Sequence, residues 1–296
     1  MKRKRVLIGL GVIVGLLIFF FIVLFFIGGY SGGKNGRFAS GDKIAIVEVE
    51  GVITQSSGII EELQQYLADE GVKAIILRVD SPGGGVGPSQ EIYREIMRIK
   101  SKSKKKVVTS MGSVAASGGY YIASASDLIV ANPGTITGSI GVIMEFVNLE
   151  ELLNKIGVKG VVIKSGQYKD IGSPFREMTP EESRIMQEVL DNVHQQFIQA
   201  VAEGRKMDRA KVAQIADGRI MTGEQAKNLG LVDELGNLQD TIDITAKMVG
   251  IVGRPNVLYP KKKFSIWELL TRDMVSAIVE VLTEKGYELN LPLPIK

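Results

Sequence analysis

The chain has no cysteine and a single histidine, His194. The first absence excludes a cysteine nucleophile, a disulfide framework and any zinc or iron–sulfur site built on thiolates. The second excludes HExxH metal chemistry, which needs two histidines one helical turn apart. Tryptophan occurs once, and no basic stripe interleaved with aromatics runs along the sequence, so nucleic acid is not an expected partner. A charge excess is lacking too. The formal net charge is +3, and Lys2, Arg3, Lys4 and Arg5 alone account for more than that surplus.

One uncharged run is long. Val6 to Ile27 is 22 residues without a charge, and a helix of that length spans a hydrocarbon core of about 30 Å. Signal peptides have shorter apolar regions, about 7–15 residues. Residues 1–29 therefore read as an uncleaved transmembrane signal anchor. Its basic N-terminus would lie in the cytoplasm and the bulk of the chain outside the cell membrane. Residues 30–42, "YSGGKNGRFASGD", read as a flexible linker.

Strand and helix patterns then alternate. "KIAIVEVEGVI" (Lys43 to Ile53) is rich in β-branched residues, and the next segment has helical spacing at Ile59, Ile60, Leu63 and Leu67. "VKAIILRVD" (Val72 to Asp80) is a nearly continuous apolar strand, as burial on both faces requires. A glycine turn, "SPGGGVG", leads into a helix from about Pro88. "KKVVTSM" and "DLIVAN" read as strands, "NLEELLNKIG" as a helix and "KGVVIKSG" (Lys159 to Gly166) as another strand. A long helix runs from Pro180 to about Lys206, followed by a shorter helical pair. Such alternation predicts an α/β domain with a mostly parallel sheet over residues 43–249. Residues 250–296 read as a tail with an amphipathic helix around Trp267.

Two glycine turns carry the candidate chemistry. "DSPGGGVG" (Asp80 to Gly87) lacks the lysine of a phosphate loop, but a Gly-Gly pair after a buried strand can aim N–H groups into a cleft. "GSVAASGGYYIA" places Ser117 before Gly118 and Gly119, at the start of an expected helix on a neighbouring strand edge. That is where ligands bind in open α/β sheets. His194 falls mid-helix, a packing or surface position, so a Ser-His-Asp triad is disfavoured and lysine is the alternative base. A lysine base must be neutral, although its ordinary pKa is about 10.4. Burial lowers that value, and a drop of about 3 units costs about 4 kcal/mol. Lys169 follows the expected strand at Lys159 to Gly166 and is the best candidate, with Asp170 facing the other way along an extended segment.

The motifs "DSPGGG", "VAASGGYYIA", "ANPGTITGSIGV" and "KSGQYKDIGSPFREMT" occur in that order. Together they resemble the signal peptide peptidase A family, the membrane-anchored Ser-Lys peptidases of the ClpP/crotonase superfamily. The resemblance spans about Lys43 to Val249. It implies a spiral of ββα units, Ser117 as nucleophile, Lys169 as general base and Ser139 as the residue that orients the lysine. The backbone N–H groups of Gly84 and Gly118 would form the oxyanion hole. It further implies cleavage of remnant signal peptides or other apolar peptides. A dome-like homo-oligomer is implied, in which neighbouring subunits can share a site, with no metal or cofactor. A crotonase-type enzyme, a protease of other membrane or misfolded proteins, and an inactive assembly protein are the competing expectations.

Overall fold

The computed structural model describes residues 42–260, and a compact unit begins at Lys43. The first strands form where the apolar runs predict them. β1 (Lys43–Ile53) pairs in parallel with β2 (Val72–Gly84), and β2 pairs in parallel with β3 (Lys106–Ala116). Residues Ala74 to Leu77 are wholly buried, which explains their unbroken apolar character. Each large apolar side chain so buried contributes about 1.5–3 kcal/mol. Helices α1 (Ser57–Ala68) and α2 (Val86–Lys102) are the connections that parallel pairing requires.

β3 is long enough to serve two short partners along one edge. Val108 to Ser110 pair with β4 (Leu128–Ala131), and Val114 to Ala116 pair with β5 (Ile136–Gly138). Helix α3 (Gly118–Ser124) leaves the end of β3 directly. The short helix α4 (Glu150–Lys155) and the long α5 (Pro180–Arg205) follow, then α6 (Arg209–Ile215) and β6 (Ile220–Thr222). β6 gives the sheet its antiparallel pair, with β5. Helix α7 (Gly223–Asn228), β7 (Glu234–Leu235), α8 (Leu238–Met248) and β8 (Asn256–Leu258) complete the described residues. The sheet order is β6-β5-β3-β2-β1-β8, with β4 and β7 on a side branch. The expected α/β class with a parallel-dominated sheet is present. β8 pairs with β1, so residues beyond 249 also enter the sheet.

One face of the sheet packs against α1, α2, α3 and α5 through Leu63, Ile96, Tyr120 and Val201; the other carries Ile242 and Ala246 of α8. The expected strand at Lys159 to Gly166 does not form. Val161, Val162 and Ile163 are exposed there, and among the described residues no strand edge pairs with them. β-branched composition favours a strand only where a partner and a covering layer exist.

The expected placement in the cell membrane is corrected. Among the described residues no helix is long and apolar enough to cross a membrane. The longest of them, α5, has 26 residues and carries charge along its length. The run Val6 to Ile27 and the helix expected around Trp267 lie outside the described residues.

Candidate active site

Ser117 stands at the junction of β3 and α3 with φ 50° and ψ −121°, backbone that non-glycine residues rarely adopt. Holding it there costs on the order of 1–3 kcal/mol, and the surroundings impose it. Its N–H donates to the Gly138 carbonyl (2.9 Å), and its own carbonyl accepts from Tyr121 N–H (2.8 Å). The register Ala116↔Gly138 continues this pairing and brings Ser139 beside Ser117. Ser139 has φ 53° and is tied by its N–H to the Arg219 carbonyl at 2.8 Å. The result is a sharp strand-to-helix elbow that presents a serine at the sheet's edge.

The first glycine turn closes over this elbow. A side chain on Gly118 would stand 2.5 Å from Ser89 Oγ and 3.2 Å from Gly84 N, so the two backbones touch where any Cβ would part them. Gly84 itself, at φ 158°, lies against the Ile53 carbonyl too closely for a side chain. Two buried serines hold the turn. Ser81 Oγ donates to the Gly51 carbonyl (2.6 Å) and accepts from Gly83 N–H (3.0 Å), while Ser89 Oγ donates to the Gly85 carbonyl (2.9 Å). Neither serine stands out in the sequence, because a serine beside glycines reads as an ordinary turn residue.

A cavity of about 510 Å³ opens onto Ser117, Ser139 and Gly84. Val86, Val142 and Ile143 give it apolar wall, and α5 closes it with Gln187, Leu190, Asp191 and His194. The spacing 187, 190, 191, 194 is one stripe of a helix. That periodicity is visible in the sequence, but nothing local says which stripe of α5 meets the cleft. A second, smaller cavity of about 30 Å³ lies beneath Ser117 between Val86, Val142, Val193, Tyr121 and Phe197. Its aromatic floor is fixed by Tyr121 on Phe197 at 4.7 Å and Tyr93 on Tyr121 at 5.2 Å. Tyr93 donates to the Ala200 carbonyl (3.0 Å), and burial pushes its hydroxyl up to about 12.

Lys169 is not brought to this cleft within the chain. It is exposed in a turn, and it lines neither cavity at Ser117. The buried strand expected to precede it is absent for the reason given above. The segment is a turn rather than the extended chain expected, and Asp170 is held by other cations: Arg176 and Lys164 engage its carboxylate at 2.8 and 2.5 Å and keep it well below the usual carboxylate range. Arg176 also binds Glu182 of α5, whose carboxyl is lowered to about 2 by that guanidinium and by the Thr179 N–H.

A strained serine elbow against a glycine turn is a recurrent arrangement, and family comparison narrows it. Residues 99–251 match the model of peptidase family S49. A Synechocystis sp. protein named "Putative protease" is 47% identical over 211 residues, covering 71% of this chain and 75% of its own. An Enterococcus faecium protein named "Putative signal peptide peptidase SppA" is 34% identical, covering 87% of this chain and 81% of its own. The Arabidopsis thaliana "Serine protease SPPA, chloroplastic" is 35% identical over 75% of this chain, which spans 35% of that longer protein. The elbow at Ser117 thus falls inside the matched region of a family of serine proteases, and the chain belongs to peptidase family S49.

Proposed function

We propose that this chain is a serine endopeptidase working with a Ser-Lys pair on apolar peptides, remnant signal peptides in particular. The observation that carries the proposal is the backbone of Ser117, held at φ 50° against the Gly84 turn. Strain of that kind persists where it serves to display a reactive group. Ser117 Oγ attacks a peptide carbonyl while its proton passes to neutral Lys169 Nζ. The oxyanion forms against the N–H groups of Gly84 and Gly118, whose backbones already touch. Lys169 then returns the proton to the leaving amine as the C–N bond breaks, and water hydrolyses the acyl-serine. Ser139 orients the lysine, as aspartate orients histidine in a triad.

Lys169 reaches Ser117 from a neighbouring copy. The support is twofold: Lys169 is exposed in a segment whose Val161 and Ile163 are 85% and 96% exposed, and the Ser117 cavity has no lysine of its own among the lining residues. A homo-oligomeric interface that covers this segment also supplies the desolvation a lysine base needs. Long β3 serving two short strands is consistent with a ClpP-like spiral. The apolar wall of Val86, Val142, Ile143 and Leu190 suits apolar peptide segments, and one relative bears the name of a signal peptide peptidase.

Hydrolysis of a fluorogenic apolar peptide by the full chain tests this. Ser117→Ala and Lys169→Ala should each lower kcat/KM by about 1000-fold or more while the protein stays folded and assembled. Near-normal hydrolysis by Lys169→Ala would mean that another group is the base.

A further inference from the structure

His194 has a role that a Ser-Lys mechanism leaves unassigned. Its Nε2 is buried and has no hydrogen-bond partner, which holds for no other buried side-chain nitrogen or oxygen among the described residues. An unpartnered buried polar atom is a standing cost to the folded state. It is tolerated where something else, met later, completes it. The imidazole sits one helical turn beyond Leu190 and Asp191, and all three line the cavity that holds Ser117 and Ser139.

We propose that His194 is a substrate-binding residue of this cleft, its Nε2 pairing with a main-chain amide group of the bound peptide. The inference rests on the proposed peptidase function, in that the ligand is the peptide that Ser117 cleaves. Three observations support the assignment. The residue is on the cavity wall, half-buried rather than packed in the core. The imidazole turns easily about its Cβ–Cγ bond, whose torsion is broad, so the closed-off nitrogen can face an arriving strand. Apart from Ser117 and Ser139, which the proposed chemistry uses, the other polar side chains of the wall are Gln187, Asp191 and Asp217. Of these, Asp191 already accepts from Gln187 Nε2 (2.7 Å) and Asp217 pairs with Arg219. The histidine nitrogen is therefore the buried polar atom of this wall that lacks a partner and can meet a peptide N–H or C=O. A peptide backbone must find such partners when it leaves water, because each unmet group is costly.

Kinetics and stability separate this role from a structural one. In His194→Leu the unpartnered atom is gone, so Tm should rise by about 2 °C. KM for an apolar peptide should nonetheless rise about ten-fold with kcat changed less than about two-fold. His194→Gln, which restores a polar atom near the position of Nε2, should recover most of the KM. An unchanged KM in His194→Leu overturns the proposal, as does a failure of His194→Gln to recover it. A change confined to the assembled mass would assign the nitrogen to a neighbouring copy instead, and would also overturn it.

Because the chain has one histidine, a ¹⁵N-histidine label gives one imidazole Nε2 signal. In the full-length Ser117→Ala protein that signal should shift on adding uncleaved peptide; binding without a shift refutes the contact even if His194→Leu does not fold. If Ser117→Ala still hydrolyses peptide, the peptidase proposal has failed. If Ser117→Ala is inert but the imidazole is silent, only the histidine inference has.

Discussion

Ser117 shows how one residue can be chosen against stability. Its φ of 50° with ψ −121° belongs to backbone that glycine enters freely and an L side chain does not. Ser117→Gly should therefore abolish peptide hydrolysis and raise Tm by a few degrees, measured by calorimetry on the full chain. A fall in Tm would show that the hydroxyl contributes more to the fold than the strain costs. The serine was legible in the sequence because small residues and a glycine pair surround it. Ser81 and Ser89, which hold the opposing turn, were not, since their importance lies in what their hydroxyls reach: Gly51, Gly83 and Gly85. His194 was legible as a helical residue and hidden as a cleft residue, because spacing alone cannot orient a helix.

At the scale of elements, buried parallel strands announce themselves by continuous apolar runs, and β1, β2 and β3 were readable for that reason. Their ends were less so. β2 runs on to Gly84 and β3 to Ala116, past the apolar cores into the glycine turns, since pairing with neighbours rather than side-chain character sets the boundary. The segment before α5 is held by charge instead. Arg176 bridges Asp170 and Glu182, and both carboxyls are lowered in the folded chain, Glu182 to about 2. An ordinary glutamate titrates near about 4.3, so between those values the unfolded chain takes up the proton first. The stabilisation is thus complete above about pH 4.5 and is lost as pH falls toward about 2. Calorimetry across that window should show Tm falling, and Arg176→Gln should flatten the fall. An unchanged slope in the variant would mean that other carboxylates govern acid unfolding.

For the molecule as a whole, the α/β class was legible and the completion of the site was not. Residues Ile143 to Phe175 leave Ile143, Val147, Val161 and Ile163 largely uncovered, and the same stretch carries Lys169. Sequence composition there resembles a buried strand because apolar residues are chosen for burial, whichever chain supplies the cover. The account's central claim is that Ser117 of one copy works with Lys169 of another. Mixing inactive Ser117→Ala protein with inactive Lys169→Ala protein, dissociated and reassembled together at equal amounts, tests it most directly. Random pairing of copies across a head-to-tail interface should leave an intact serine facing an intact lysine in about one quarter of sites, restoring about a quarter of normal peptide hydrolysis. If the mixture reassembles fully and stays as inert as either variant alone, serine and lysine belong to the same chain and the claim is wrong.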